Sequence, residues 1–385
     1  MIFKKIIAIF PVLLFLLFNS SCDSAEGQIK TGHRYLSEKQ YDKAGESFDK
    51  ALKMNPKSSN GWYGKGLFQY TRQKYDEALE SFSKSIEYNA KNIKPWNGKI
   101  MVYQVKSLLT PDKETEYYEE MIKCFDEIIK IDDKNIEALT GKGNVFCSQG
   151  KYEEALKCYD TALGIDSKKI DLIIGKGYIL CKANRYDESL KCYDEALSME
   201  PDNEKCSKGK TQTLCSMWHK KGMDLCSQKK YKDAIKCYDE ALKIDPENEA
   251  CIKGRDQANA GIFQTQGLTL YGKKKYKEAI ACYDKALKLD EENKTLWYDK
   301  GNALYSSKQY NEALKQYIQA IHIDSKFAYA YCALGNTYLM LERFQEALQN
   351  YDKAREYAPK DKYVKDCYKN GEKQWFLNSI KGGVT

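Results

Sequence analysis

The sequence is short of what most catalytic and cofactor chemistry requires. Only three of its 385 residues are histidine, and His33, His219 and His322 are scattered along the chain. None of the fourteen cysteines forms a Cys-x-x-Cys pair, so the clustered ligands of a zinc site are missing. The recurring Gly-Lys-Gly, as at Gly141-Lys142-Gly143, lacks the spacing of a phosphate-binding loop. No serine, histidine and acid constellation stands apart, so the expectation is no enzyme, no cofactor, no metal and no small-molecule substrate. Prolines number seven, too few to break many helices. Charge of one sign is also lacking: the net formal charge is +7, with lysine interleaved among aspartate and glutamate. Without a basic stripe, nucleic acid is not an expected partner.

Long apolar runs are absent too. The longest, Ile6 to Phe18, is interrupted only by Pro11 and falls short of the roughly 20 residues a spanning helix needs. It follows Lys4 and Lys5 and precedes Asn19-Ser20-Ser21-Cys22. A basic start, an apolar core and small residues make residues 1–21 an export signal. Cys22 directly after small residues resembles the cleavage box of bacterial lipoproteins, although an aliphatic residue is usual where Asn19 stands. That resemblance implies a lipid-modified Cys22, residues 22–24 as an anchored N-terminus, and an exported chain in the bacterial envelope, periplasmic or surface-facing. Ordinary cleavage nearby, or an uncleaved anchor, remains open.

What the chain does have is repetition. Ala44, Ala78, Met121, Ala155, Ser189, Ala234, Ala279, Ala313 and Ala347 are spaced 34, 43, 34, 34, 45, 45, 34 and 34 residues apart. A glycine lies twelve residues before eight of these nine anchors, from Gly32 and Gly66 to Gly335. An aromatic precedes each anchor by three, as Tyr152 does, and another follows by four, as Phe48 and Tyr159 do. Alanine recurs three residues later, and Pro56, Pro201, Pro246 and Pro359 close units. Trp62, Trp96, Trp218 and Trp297 hold the fourth position of theirs. Spacings of three and four place these side chains on one helical face, and a hairpin that cannot bury its face alone needs neighbours.

This pattern resembles the tetratricopeptide-repeat family over residues 25–361. The resemblance implies an all-α fold, an α-solenoid superhelix of about nine helical hairpins with a C-terminal capping helix. Residues 25–203 would form five repeats, 204–293 two extended 45-residue units, 294–361 two more, and 362–385 the cap and a fraying tail. In the family, first helices line a concave groove that takes proteins or extended peptide segments. Carried onto this chain, the fifth positions give Tyr63, Asn97, Ile174, His219, Gln264 and Tyr298. The ninth give Asn144, Tyr178, Asn302 and Asn336, and the twelfth Tyr70, Tyr271 and Tyr305. Asparagine can hold a peptide backbone because its amide both donates and accepts. None of those fifth-position residues is lysine, so a clamp for a terminal carboxylate is not expected.

Three units depart from the pattern. Nine extra residues between Tyr103 and Tyr118, including Thr110-Pro111-Asp112, suggest a lengthened hairpin turn. Eleven extra residues at 204–214 and again at 249–259 equal about three helical turns, which would extend a first helix by about 16 Å without changing its face. The other reading is a duplication that only widens the stack. Cysteines 124, 158, 192, 237 and 282 share one repeat position, so they are expected to be mostly free thiols rather than a disulfide framework. The functional expectation is a membrane-tethered scaffold or adaptor. The alternative is a structural spacer or self-associating envelope protein.

Overall fold

In a computed structural model, residues 24–382 are described; the segment 1–21 expected to be an export signal, and Cys22, lie outside them. Among the described residues there are nineteen α-helices, one 3-10 turn and no strand. They divide into two compact units, residues 1–210 and 211–385.

The first unit pairs α1 (Ala25–Ser37) with α2 (Tyr41–Met54), α3 (Ser59–Thr71) with α4 (Tyr75–Tyr88), and α5 (Ile93–Leu109) with α6 (Glu114–Ile131). It continues with α7 (Ile136–Ser148) and α8 (Tyr152–Ile165), then α9 (Ile170–Lys182) and α10 (Tyr186–Met199). Helix α11 (Glu204–Ser227) carries the chain into the second unit. There α12 (Tyr231–Ile244) is followed by the pairs α13 (Glu249–Gly272) with α14 (Tyr276–Leu287), α15 (Lys294–Ser306) with α16 (Tyr310–Ile323), and α17 (Ala328–Met340) with α18 (Phe344–Tyr357). Helix α19 (Lys362–Gly382) ends the chain.

First helices begin where a short polar side chain can satisfy an orphan N–H. Ser24, Ser58, Asn92, Asn135, Asn248 and Asn293 each accept a bond from a backbone amide in the first turn. Second helices have no such cap and start directly from the turn. That turn needs one residue in the left-handed region. Gly150 serves once at φ 74°, but Lys39, Gln73, Asn184, Lys229, Lys274, Lys308 and Glu342 hold φ of 58–65°. A side chain with a Cβ is strained there. Lys274→Gly should therefore raise stability by about 0.5–1 kcal/mol in urea unfolding; an unchanged or lowered midpoint would contradict this.

The anchors are completely enclosed: Ala44, Ala78, Ala155, Ala234, Ala279, Ala313 and Ala347 are all at 0% exposure. Ser189, the polar exception, donates its hydroxyl to the Gly177 carbonyl at 2.7 Å. The glycines do something more specific than let backbones approach. Each makes room for an aromatic ring of a second helix. A Cβ on Gly32 would stand 2.6 Å from Phe48, and one on Gly64, in the next hairpin, 2.2 Å from the same ring. Gly143 and Gly175 hold Tyr159 between them, and Gly177 and Gly209 hold Tyr193. The ring thus rivets its own hairpin to the following one.

The lysine inside Gly-Lys-Gly has its own role. Lys65 pairs with Asp49 at 2.8 Å and Lys176 with Asp160 at 2.7 Å, and Lys300, within Asp299-Lys300-Gly301, pairs in the same way with Asp284 at 2.7 Å. The carboxylate always lies sixteen residues earlier, on the preceding second helix. Such partly exposed pairs contribute below about 1 kcal/mol each, but they fix one register repeatedly.

Both 45-residue units are built by helix extension. Helices α11 and α13 have 24 residues against 13 in α7 or α15. The third hairpin differs from the expected long turn. Helices α5 and α6 take up the extra residues with 17 and 18, and only Thr110 and a 3-10 turn at Pro111–Lys113 separate them. Pro111 ends α5 because it lacks an N–H to continue the ladder, and it then opens the short turn. In α19, Val364, Cys367 and Gly371 are buried, whereas Trp375 and Phe376 remain 45% and 58% exposed.

Candidate functional site: the open face of the first helices

The first-helix side chains fall into three groups. At the twelfth position, Tyr70, Tyr271 and Tyr305 are half-buried against the tyrosine that opens their own second helix. Their ring centroids lie 6.0, 5.6 and 5.4 Å from Tyr75, Tyr276 and Tyr310. The Tyr271 hydroxyl also lies 3.0 Å from Ser306 Oγ. These tyrosines close hairpins, packing against residues of the chain itself.

At the fifth position, Tyr63 sits 5.9 Å from Phe82, His219 5.8 Å from Tyr238, and Tyr298 5.9 Å from Tyr317 and 5.3 Å from Phe327. Asn97 is exposed. Gln264, also polar, donates to Asp299 Oδ2 at 2.8 Å.

The ninth position is the open one. Asn144 is exposed, and Asn302 and Asn336 are half-buried. Each asparagine accepts, through Oδ1, the hydroxyl of a tyrosine buried in its own hairpin: Tyr159 at 2.8 Å, Tyr317 at 2.9 Å and Tyr351 at 2.7 Å. Burial pushes all three phenols above their usual range. The asparagine carbonyl is thus engaged inward; at Asn336 the NH₂ group is also engaged, donating to the Tyr363 hydroxyl at 3.5 Å. Tyr178 is 50% exposed, with Lys182 Nζ 5.5 Å from its ring. The same column holds apolar residues missed by sequence reasoning: Met101, Met223 and Leu268 at 39, 49 and 48% exposure. Their signal was available, since Met223 and Leu268 each lie one residue after the repeat glycine.

Asp299 was also missed. It occupies the sixth position, where Gly64, Gly98, Gly141 and Gly175 stand in other repeats. Desolvation, opposed by the Gln264 bond, holds its carboxyl above the ordinary value. The folded state therefore binds the proton more tightly than the unfolded chain. Its contribution to stability is present below the unfolded value and is lost as pH rises through the folded one. Asp299→Asn should be more stable than the parent at pH 7, with the gain shrinking toward pH 3.5. Equal urea midpoints at both pH values would contradict it.

The thirteen cysteines among the described residues are free thiols. Burial pushes most of them up, Cys124 to about 11, which suits filling side chains better than nucleophiles. No cluster of three or more metal-ligating side chains occurs among the described residues.

Fold and open face together define an all-α protein of serially stacked helical hairpins. Tetratricopeptide-repeat profiles match residues 29–92, 136–169, 171–203, 216–248 and 328–361, and a further TPR-repeat profile matches 267–306 and 301–342. Together they cover more than half of the chain, which belongs to the tetratricopeptide-repeat family. No curated protein matches the sequence significantly. Among solved structures, the chain is similar to YrrB, described as a TPR protein with an unusual peptide-binding site. That match has 18% identity, a TM-score of 0.40, and covers 51% of this chain and 96% of the other. It is similar to the P58(IPK) TPR domain at 15% identity and TM-score 0.38, covering 92% and 99%. A tetratricopeptide repeat protein from Parabacteroides merdae gives 14% and 0.40, covering 90% and 98%.

Proposed function

We propose that this chain is a membrane-tethered scaffold that holds extended segments of other proteins along its first helices. The observation that carries this reading is the ninth-position column. There, Met101 and Tyr178 stand exposed with Asn144 in one unit, and Met223 and Leu268 stand exposed with the half-buried Asn302 and Asn336 in the other. Exposed apolar side chains with interspersed polar groups mark interaction surfaces, and methionine adapts to varied partners. The tether is supported by the sequence of residues 1–22 alone. Among the described residues no helix is long and apolar enough to cross a membrane, so attachment in this reading falls to acyl groups on Cys22. Each buried methylene there adds about 0.8 kcal/mol.

The test is crosslinking in intact cells, comparing the parent with Cys22→Ala and with Met223→Ser/Leu268→Ser. The first variant should leave the membrane fraction. The second should stay there and lose at least four-fifths of its crosslinked partners. An unchanged partner set in the double serine variant refutes the groove; an unchanged fractionation of Cys22→Ala refutes the tether. Asn302→Ala by itself is a poor probe because it strands the buried Tyr317 hydroxyl, at a cost of about 1–3 kcal/mol. It belongs in a Tyr317→Phe background.

The spacer alternative has one observation in its favour. The far end of α19 exposes Trp375, Phe376, Leu377 and Ile380 at 44–58%. If that end self-associates, sedimentation of Trp375→Ser/Phe376→Ser will show smaller particles than the parent.

A further inference from the structure

The helix extension in α13 leaves a slot in the second unit. In ordinary repeats the sixth-position glycine of a first helix seats the ring of the preceding second helix, as Gly64 seats Phe48 and Gly175 seats Tyr159. In α13 the sixth position by family register is Thr265, and it is exposed. The ring of Tyr238 docks instead on Gly254, eleven residues earlier, and Tyr231, which opens α12, docks on Gly261. From Ile262 onward α13 therefore runs past the start of α12, an overhang of about three turns, or about 16 Å. Its flank there lacks the second helix that covers the equivalent flank elsewhere.

The result is a cleft of about 690 Å³, within the range of ligand sites. Tyr231, Ile262, Thr269 and Leu270 wall it, with Cys282 of α14 behind. Lys229, Lys230 and Lys232 line it at the turn. Among the described residues no ion pair joins any of these three lysines to a carboxylate, whereas Asp233, which also lines the cleft, is taken by Lys236 at 3.0 Å. An apolar wall flanked by three cations, in a place that the repeat architecture fills with a helix, fits one kind of occupant.

We propose that this cleft receives an acidic amphipathic α-helix from a partner protein, which lies along the overhang of α13 as the missing second helix of the stack. The site is separate from the first-helix column, and its partner need not be the same one. The chain's own second helices show the required chemistry. Residues 186–199 carry Asp187, Glu188, Asp194 and Glu195 against Lys191, with an apolar stripe on the other face.

The probe is a capped, fluorescein-labelled peptide of residues 186–199 with Cys192→Ser, titrated with the full chain and read by fluorescence anisotropy. The parent should bind it. Lys230→Glu/Lys232→Glu and, independently, the filling variant Thr269→Trp should each weaken binding at least tenfold, while circular dichroism confirms that both are folded. Met223→Ser/Leu268→Ser should bind as the parent does, which separates this site from the column described above. Bound peptide should also slow hydrogen exchange in 262–270. Absence of binding to the parent overturns the proposal. So does equal binding by Thr269→Trp, or equal affinity for a control peptide with the four acids changed to lysine. A second copy of this chain is the competing occupant: a concentration-dependent dimer that Thr269→Trp abolishes would also overturn it.

Discussion

Gly175→Val should unfold the middle of the first unit far below the parent's urea midpoint, with a loss of about 3 kcal/mol or more. Replacing a helical glycine usually helps, since alanine is favoured by about 1 kcal/mol in a helix interior. Here the sign reverses because of what the new Cβ meets. It would stand 2.2 Å from Tyr159 Cε1, and the ring has nowhere to go, because a Cβ on Gly143 would be 3.0 Å from its other edge. The Tyr159 hydroxyl is also held by Asn144, so rotation or withdrawal breaks a bond. Gly164→Ala is the matched control: nothing lies within 4 Å of its Cβ position, and it should gain up to about 1 kcal/mol. Denaturation of both by circular dichroism decides the matter. Similar midpoints for Gly175→Val and Gly164→Ala would mean that the ring is not clasped.

The second large effect is expected at the C-terminal end. Tyr351 is fully buried and is shared by Gly335 of its own hairpin and Gly371 of α19. Tyr351→Ala should cost about 3–5 kcal/mol, the usual price of deleting a buried aromatic. The loss should be local, since each hairpin depends on its neighbours. Limited proteolysis should then cut within 362–382 while the first unit stays resistant. Tyr351→Phe keeps the ring and loses only the hydroxyl bond to Asn336, about 1 kcal/mol. An alanine variant cleaved no faster than the phenylalanine one would show that α19 is held by other contacts.

Much of this could be read from the letters. Glycine, aromatic and alanine at fixed offsets pointed to stacked hairpins, and eleven added residues were consistent with a helix lengthened in phase. Other features needed the third dimension. The sequence around Pro111 shows a break, but not that Lys106 to Leu109 and Glu114 to Tyr118 stay helical on either side. The tyrosine–asparagine bonds join residues fifteen apart in three hairpins, a pattern visible only once the partners are known to face each other. The ninth-position apolar residues went unmarked, because composition does not reveal which helical flank a neighbour leaves open. The cleft depends on which turn of α13 the Tyr238 ring selects.

The ring held between glycines of successive hairpins also governs how the protein should behave under tension. Within each unit no strand ladder must shear all at once; one hairpin can detach when its single shared ring leaves its seat. Pulled from its ends in an optical trap, the chain should lengthen by small, repeated increments rather than one rupture. A 34-residue repeat would release about 120 Å of contour before its folded length is subtracted, and the 45-residue units longer pieces. Under the tether proposed above, such a chain would act as a compliant cord between its anchor and whatever it holds.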